Sequence, residues 1–295
     1  MRTDGPLVIA LDGSPHSEQT LQWGLAEAER RGARVTLARA FQEPREISQW
    51  SWYPIFEDLS FDTEAKEYLE DRCERESARH PRLTIETALL HGAEVPQLRT
   101  LSKDAQLLVL GARGHSVRRH IGRVSAHLAA HARCPVAVVR SDPDHPLAND
   151  APVVVGVDGS ATSVAAARVA AREAELRDVE LVVVHARPTY PDPYGTGGLT
   201  RDPVVTADED AAAHRAATTV ADGLRDAHPG LGVRLRLVDD EPVHALVEAS
   251  RGAPLLVVGS RGLGAFQGML LGAVSSDAVR TATTSVLVVH EVEAA

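Results

Sequence analysis

LVIALDGS at residues 7–14 returns as VVVGVDGS at residues 153–160, an offset of 146. Two more pairs follow in the same order. LLVLGARG (107–114) matches LLVVGSRG (255–262) at an offset of 148, and PVAVVR (135–140) matches SVLVVH (285–290) at 150. Three ordered matches at a nearly constant offset mean that a whole domain is duplicated. The chain has 295 residues, and at roughly 100–200 residues per domain that length accommodates two. Between the copies, SDPDHPLANDAP (141–152) has no apolar periodicity and is rich in Pro, Asp and Asn, the composition of a linker. The expected organisation is a first domain at 1–142, a linker at 143–151 and a second domain at 152–295.

Each copy alternates strand and helix signals. A short apolar run ending at Asp12 or Asp158 reads as a buried parallel strand. Ser160 reads as the N-cap of an Ala-rich helix. In the first copy Ser14 takes that place, with Pro15 at the first helical position. Leu21, Leu25 and Ala28 share one helical face. Second strands follow at 34–40 and 179–186, then irregular segments at 41–61 and 187–206. Helices at 63–79 and 207–227 lead to third strands at 82–89 and 233–239. Short helices at 94–103 and 242–251 precede fourth strands ending at Gly111 and Gly259, and a last helix and strand close each copy. Right-handed crossovers turn this order into an α/β fold, two repeated doubly wound parallel sheets. Ligands of such sheets bind beyond the carboxyl ends of the strands, which points to Asp12, Asp158 and the loops after Gly111 and Gly259.

The second of those loops, GSRGLGAFQGMLLGAVSSDAVRTA (259–282), is crowded with glycine. Glycines let a ligand approach the main chain, and the amides of such a loop, together with the next helix N-terminus, form an anion site. Ser275 and Ser276 fall in the first turn of that helix, where their hydroxyls are placed to donate to phosphate oxygens. The bland alternative is a glycine-rich connection with no ligand.

The spacing Gly259-x2-Gly262-x9-Gly272 resembles the G-x2-G-x9-G-(S/T) ATP-binding motif of the universal stress protein family. The Asp-Gly-Ser openings and the closing apolar strands are similar to that family too, over nearly the whole chain. The resemblance implies a five-stranded sheet of order 3-2-1-4-5 in each copy, with adenine near the ends of strands one and two and phosphates in the glycine loop. It implies ATP contacts at Gly156, Val157, Asp158, Ala186, Val258, Gly259, Arg261, Gly262, Gly272, Ala273, Val274 and Ser275. Ala273 departs from the Ser/Thr of the motif, which removes one hydroxyl worth about 0.5–1.5 kcal/mol. The first copy has two readings: a second ATP site at Ala10, Asp12, Ala40, Leu110, Gly111, Arg113, Gly114, Gly122, Arg123, Val124 and Ser125, or a structural partner whose arginines are solvated. It departs further: seven residues, not nine, separate Gly114 from Gly122, and Arg123 stands where Ser/Thr is expected. Asp12 and Asp158 have two readings, a cap on the following turn or a contact to ribose, base or hydrated magnesium; the switch-point position favours the ligand.

Other features weigh less. His127 and His131 have a metal-ligand spacing, but the second copy has Asp277 and Thr281 there, and ordinary surface histidines are the simpler reading, with no metal site. Cys134 reads as a small semi-buried residue. Trp50, Trp52 and Tyr53 lie in a variable segment that covers the pocket or an interface, or anchors its own loop. No Walker loop, nucleophile elbow or loop lysine appears, which argues against fast phosphoryl transfer and leaves weak ATP hydrolysis at most.

The formal net charge is −10, which speaks against a broad nucleic-acid surface. The first apolar stretch, Leu7 to Leu11, is too short for a signal peptide, no apolar run is long enough to span a membrane, and two cysteines make no disulfide framework. These features predict a cytoplasmic protein. The expected function is an ATP-binding sensor module of the stress response, with magnesium as a companion ion. The rivals are a slow ATPase or nucleotidyl-transfer enzyme and a nucleotide-free scaffold. The apolar strands at 135–140 and 285–290 need cover, so the copies are expected to pack as an internal pseudo-dimer through them and whole chains to pair as a homodimer.

Overall fold

The computed structural model describes residues 4–41, 62–112, 122–140, 150–187, 189–191, 199–201, 207–263 and 270–290. The chain divides into two compact units, Met1–Val136 and Ala137–Ala295.

In the first unit β1 (Leu7–Ala10), β2 (Val35–Phe41), β3 (Ile85–His91) and β4 (Leu107–Gly111) form a parallel sheet of order β3-β2-β1-β4. Leu7 lies opposite both Val35 and Leu107. Leu7, Val8 and Ile9 are fully buried, as an apolar strand covered on both faces must be. Helices α1 (Ser17–Arg31), α2 (Thr63–Arg79), α3 (Glu94–Leu101) and α4 (Arg123–His131) supply the crossovers. The Leu108 amide donates to Pro135 O at 3.0 Å, which brings the chain entering β5 (Val136–Val139) alongside β4. The face Leu21, Leu25 and Ala28 is buried as the periodicity requires. Gly24 lets α1 approach the sheet, since a Cβ there would lie 2.5 Å from Ile9 Cδ1.

The second unit repeats the plan with β6 (Val153–Gly156), α5 (Ala161–Arg177), β7 (Leu181–Arg187), α6 (Ala207–Ala227), β10 (Val233–Asp239), α7 (Pro242–Ala249), β11 (Leu256–Gly259), α8 (Ala273–Thr281) and β12 (Val286–Val289). Its order, β10-β7-β6-β11-β12, is 3-2-1-4-5. On α5, Ala166, Ala167, Ala170, Ala171 and Ala174 are completely buried, and their small size lets the helix lie close on the sheet.

Three expectations change. Ser14 does not cap α1. The helix begins at Ser17 behind His16, without a side-chain cap, because residues 14–17 form a turn closed by Ser17 N donating to Ser14 O at 2.9 Å. Ser160 does cap α5, accepting from the Ser163 amide at 3.2 Å. The third strand of the first unit runs from Ile85, later than the 82–89 read from pattern, since Leu83 still bonds back to His80 O in a turn. The segment 187–206 contains an antiparallel pair, β8 (Thr189–Pro191) with β9 (Leu199–Arg201). Strands of three residues are too short for periodicity to reveal.

Both units repeat a buried ion pair one turn apart. Glu27 Oε1 meets Arg31 Nε at 2.7 Å, and Glu173 Oε2 meets Arg177 Nη1 at 2.5 Å. A surface pair repeats beside it: Glu29 with His80 at 2.8 Å and Glu175 with His228 at 2.7 Å. Removing one member of a buried pair strands the other charge. Glu173→Ala should therefore lower unfolding free energy by about 3 kcal/mol in urea titration. Glu180→Ala, which breaks the exposed pair with Arg234, should cost less than about 1 kcal/mol.

Candidate functional site

The carboxyl ends of β6 and β11 carry two turns that bond to one another. After β6 the chain turns at Gly159, whose φ of +89° is left-handed. Asp158 Oδ1 accepts from the Ser160 amide at 3.0 Å and the Ser160 hydroxyl at 2.6 Å. Its Oδ2 accepts from the Leu263 amide at 2.8 Å, and the Thr162 hydroxyl donates to Arg261 O. The first half of the glycine loop is thus tied to the β6–α5 turn. Gly259 is required by packing: a Cβ there would lie 2.9 Å from the Thr162 carbonyl carbon, so α5 can abut β11 only over a bare backbone.

The loop is cinched at its base. The Gly272 amide donates to Ser260 O at 2.7 Å, and the Ser275 hydroxyl donates to Gly259 O at 2.5 Å. The first unit repeats this neck: Gly122 N donates to Ala112 O at 2.9 Å and the Ser125 hydroxyl to Gly111 O at 2.6 Å. Ser275 and Ser125 therefore lock the helix to its strand rather than offering their hydroxyls outward. Gly272 caps α8 with extended backbone and no side-chain bond, and the first helical bond is Ser276 N to Gly272 O. The amides of Ala273, Val274 and Ser275 precede that bond and have no carbonyl of their own helix to reach.

Those amides border a cavity of 470 Å³. All twelve residues expected in the second copy line it: Gly156, Val157 and Asp158 from the β6 end, Ala186 from β7, Val258 and Gly259 from β11, Arg261 and Gly262 from the loop, and Gly272, Ala273, Val274 and Ser275 from the start of α8. Ser163, Val184, Pro242 and Leu246 line it too, and sequence reasoning missed them. Val184 shares a pleat face with Ala186 and was within reach of a period-two argument. Pro242 and Leu246 arrive from α7, which only the fold brings there. Beneath the wall, buried His185 donates from Nδ1 to Val157 O at 2.8 Å, a tautomer set by the carbonyl, which can only accept.

In the first unit Ala10, Asp12, Ala40, Leu110, Gly111, Gly122, Arg123, Val124 and Ser125 line a cavity of 140 Å³, joined by Leu11, Ser17, Thr20, Ala38, Glu94 and Leu98. Arg113 and Gly114 lie outside the described residues, as do Trp50, Trp52 and Tyr53. Asp12 Oδ1 accepts from the Ser17 hydroxyl at 2.6 Å and the Ser14 amide at 2.9 Å, so each aspartate caps its turn as well as lining its cavity.

His127 and His131 stack with ring centroids 3.9 Å apart, and among the described residues no three His, Cys, Asp or Glu side chains gather as metal ligands. Cys134 is fully buried rather than semi-buried. Burial pushes its thiol up to about 12, partly offset by the Leu108 backbone, so it stays protonated at neutral pH. Among the described residues no helix is long and apolar enough to cross a membrane.

Burial raises the Asp158 carboxyl, but donors from Ser160, Leu263 and Ser163 outweigh it and hold the pKa below the ordinary carboxylate value. A depressed folded pKa stabilises the protein above the unfolded value of 3.8, and that stability is lost as pH falls through the folded pKa. Asp158→Asn keeps the Oδ1 acceptor and removes the charge. It should cost about 1–2 kcal/mol in denaturant unfolding at pH 7, with the gap to wild type narrowing as pH falls through the lowered folded pKa.

The profile of the universal stress protein family matches residues 5–140 and again 151–290. Universal stress protein Rv2623 of Mycobacterium tuberculosis is 33% identical over 293 residues, covering 97% of this chain and 96% of its own. Rv2005c of the same organism is 33% identical over 298 residues, covering 97% of each chain. A crystal structure of a universal stress protein from Archaeoglobus fulgidus superposes with a TM-score of 0.68 at 18% identity, over 98% of this chain and 97% of that one, a likeness of fold. Two matches of one family profile and full-length relatives agree with the doubled sheet order and the doubled neck: the chain belongs to the universal stress protein family, as a tandem member with two copies of the domain.

Proposed function

We propose that the second repeat binds an adenine nucleotide, with ATP as the physiological ligand, and that the protein works as a nucleotide-dependent binding or sensor module. One observation carries this reading: the first amides of α8 and the glycine-rich neck face a 470 Å³ cavity whose other wall is apolar. Ligand pockets usually measure about 300–1,000 Å³ and combine apolar walls with a few converging polar groups. The amide end suits phosphate oxygens and carries the positive end of the helix dipole. Val184, Ala186, Pro242 and Leu246 suit the flat apolar faces of a base.

The site favours holding a nucleotide over turning it over. Its one carboxylate is committed to donors from Ser160 and Leu263 and is held at a low pKa, which makes it a weak general base. Magnesium would serve to neutralise phosphate charge beside that carboxylate. A cytoplasmic setting, the pairing of the repeats through their last strands and the pairing of whole chains belong to the same proposal.

Mass spectrometry of the supernatant from heat-denatured purified protein should show adenine nucleotide. Gly262→Val should weaken ATP binding about tenfold or more in calorimetry while the far-UV spectrum is kept, because a Cβ there lies 2.4 Å from Asp158 Oδ2 and breaks the tie between loop and turn. Unchanged affinity in that variant would place the nucleotide elsewhere.

A further inference from the structure

The two cavities come from the same elements, yet one holds 470 Å³ and the other 140 Å³. The difference traces to positions that the repeat aligns. Gly156 in the second unit corresponds to Ala10 in the first, and Leu246 to Leu98. A Cβ at Gly156 would lie 2.9 Å from Leu246 Cδ1 and 3.0 Å from Cδ2, closer than packed carbons settle. Ala10 carries that Cβ. Leu98 therefore cannot pack against the strand as Leu246 does, although both leucines are buried to 3% exposure and both line their cavities.

Two further exchanges act in the same direction. Thr20 lines the first cavity at 1% exposure with its hydroxyl bonded back to His16 O at 3.3 Å, and its counterpart, Ala166, does not line the second. Glu94 lines the first cavity where Pro242 lines the second. A second acidic residue, in a lining whose one cation among the described residues is Arg123, works against a phosphorylated ligand.

We infer that the second repeat alone takes the nucleotide, one per chain, and that Ala10, with Thr20 and Glu94, is the specificity-determining feature that closes the first cavity to it. This rests on the nucleotide reading of the second cavity. The first repeat then keeps the turn, neck and helix start of a nucleotide domain while its cavity, below the usual range for a drug-sized ligand, excludes the base.

Calorimetry of nucleotide-free full-length protein with ATP and magnesium tests it. Wild type should bind one equivalent, and Gly262→Val should weaken it about tenfold or more. Gly156→Ala, which gives the second cavity the methyl of the first, should weaken binding about tenfold or more with the thermal transition retained. Ala10→Gly with Thr20→Ala should add a second, measurable equivalent. If Gly156→Ala does not fold, the wild-type stoichiometry and the Ala10→Gly/Thr20→Ala gain decide. Two equivalents in wild type, or one whose affinity Gly262→Val leaves unchanged, would overturn the inference and leave a nucleotide protein standing. Failure of Ala10→Gly/Thr20→Ala to add a site would overturn the part given to Ala10. No binding in wild type would overturn the function itself.

Discussion

A helix bonds each amide to the carbonyl four residues before it, so its first amides have no carbonyl to reach. In the second repeat the start of α8 meets that constraint without a capping side chain, because Gly272 has none. The consequence is a patch of donors at the one place where a doubly wound sheet leaves a crevice, beyond the ends of its first and fourth strands. What keeps the patch open is the neck. Gly272 bonds to Ser260 O and Ser275 to Gly259 O, which fixes the helix start to the strand end.

The rest of the unit supports that arrangement. Gly259 lets α5 come close enough for Thr162 to hold Arg261 O, and Asp158 ties the β6–α5 turn to the loop through Leu263. The alanine face of α5 makes the close approach affordable, since larger side chains would hold the helix off the sheet. Low on the same helices, the buried pairs Glu27–Arg31 and Glu173–Arg177 recur in both units. Duplication has kept both the packing and the neck, and has allowed the cavity walls to diverge.

The twelve residues named as ATP contacts of the second copy share one cavity wall, because strand ends and a glycine loop are local features and a parallel sheet brings them together by rule. The errors lie where one local signal competed with another. Ser14 looked like an N-cap, but Ser17 is the residue that reaches Asp12 and the helix starts there. Ser275 looked like a phosphate donor, and in the structure its hydroxyl donates to the Gly259 carbonyl while the residue lines the cavity. Both aspartates hold their own turns, as the capping reading has it, and both also line a cavity.

By itself the sequence determined that the chain is a duplicated α/β domain, where each sheet crosses over, and which loop offers bare amides, because each of these follows from local pattern and a fixed handedness. Only the tertiary structure decided how large each cavity is. That depends on Leu246 and Leu98, which come from helices far downstream of β6 and β1, and on one methyl group, present at Ala10 and absent at Gly156. Close packing gives a single carbon that authority, and no local pattern in the chain announces which leucine it will meet.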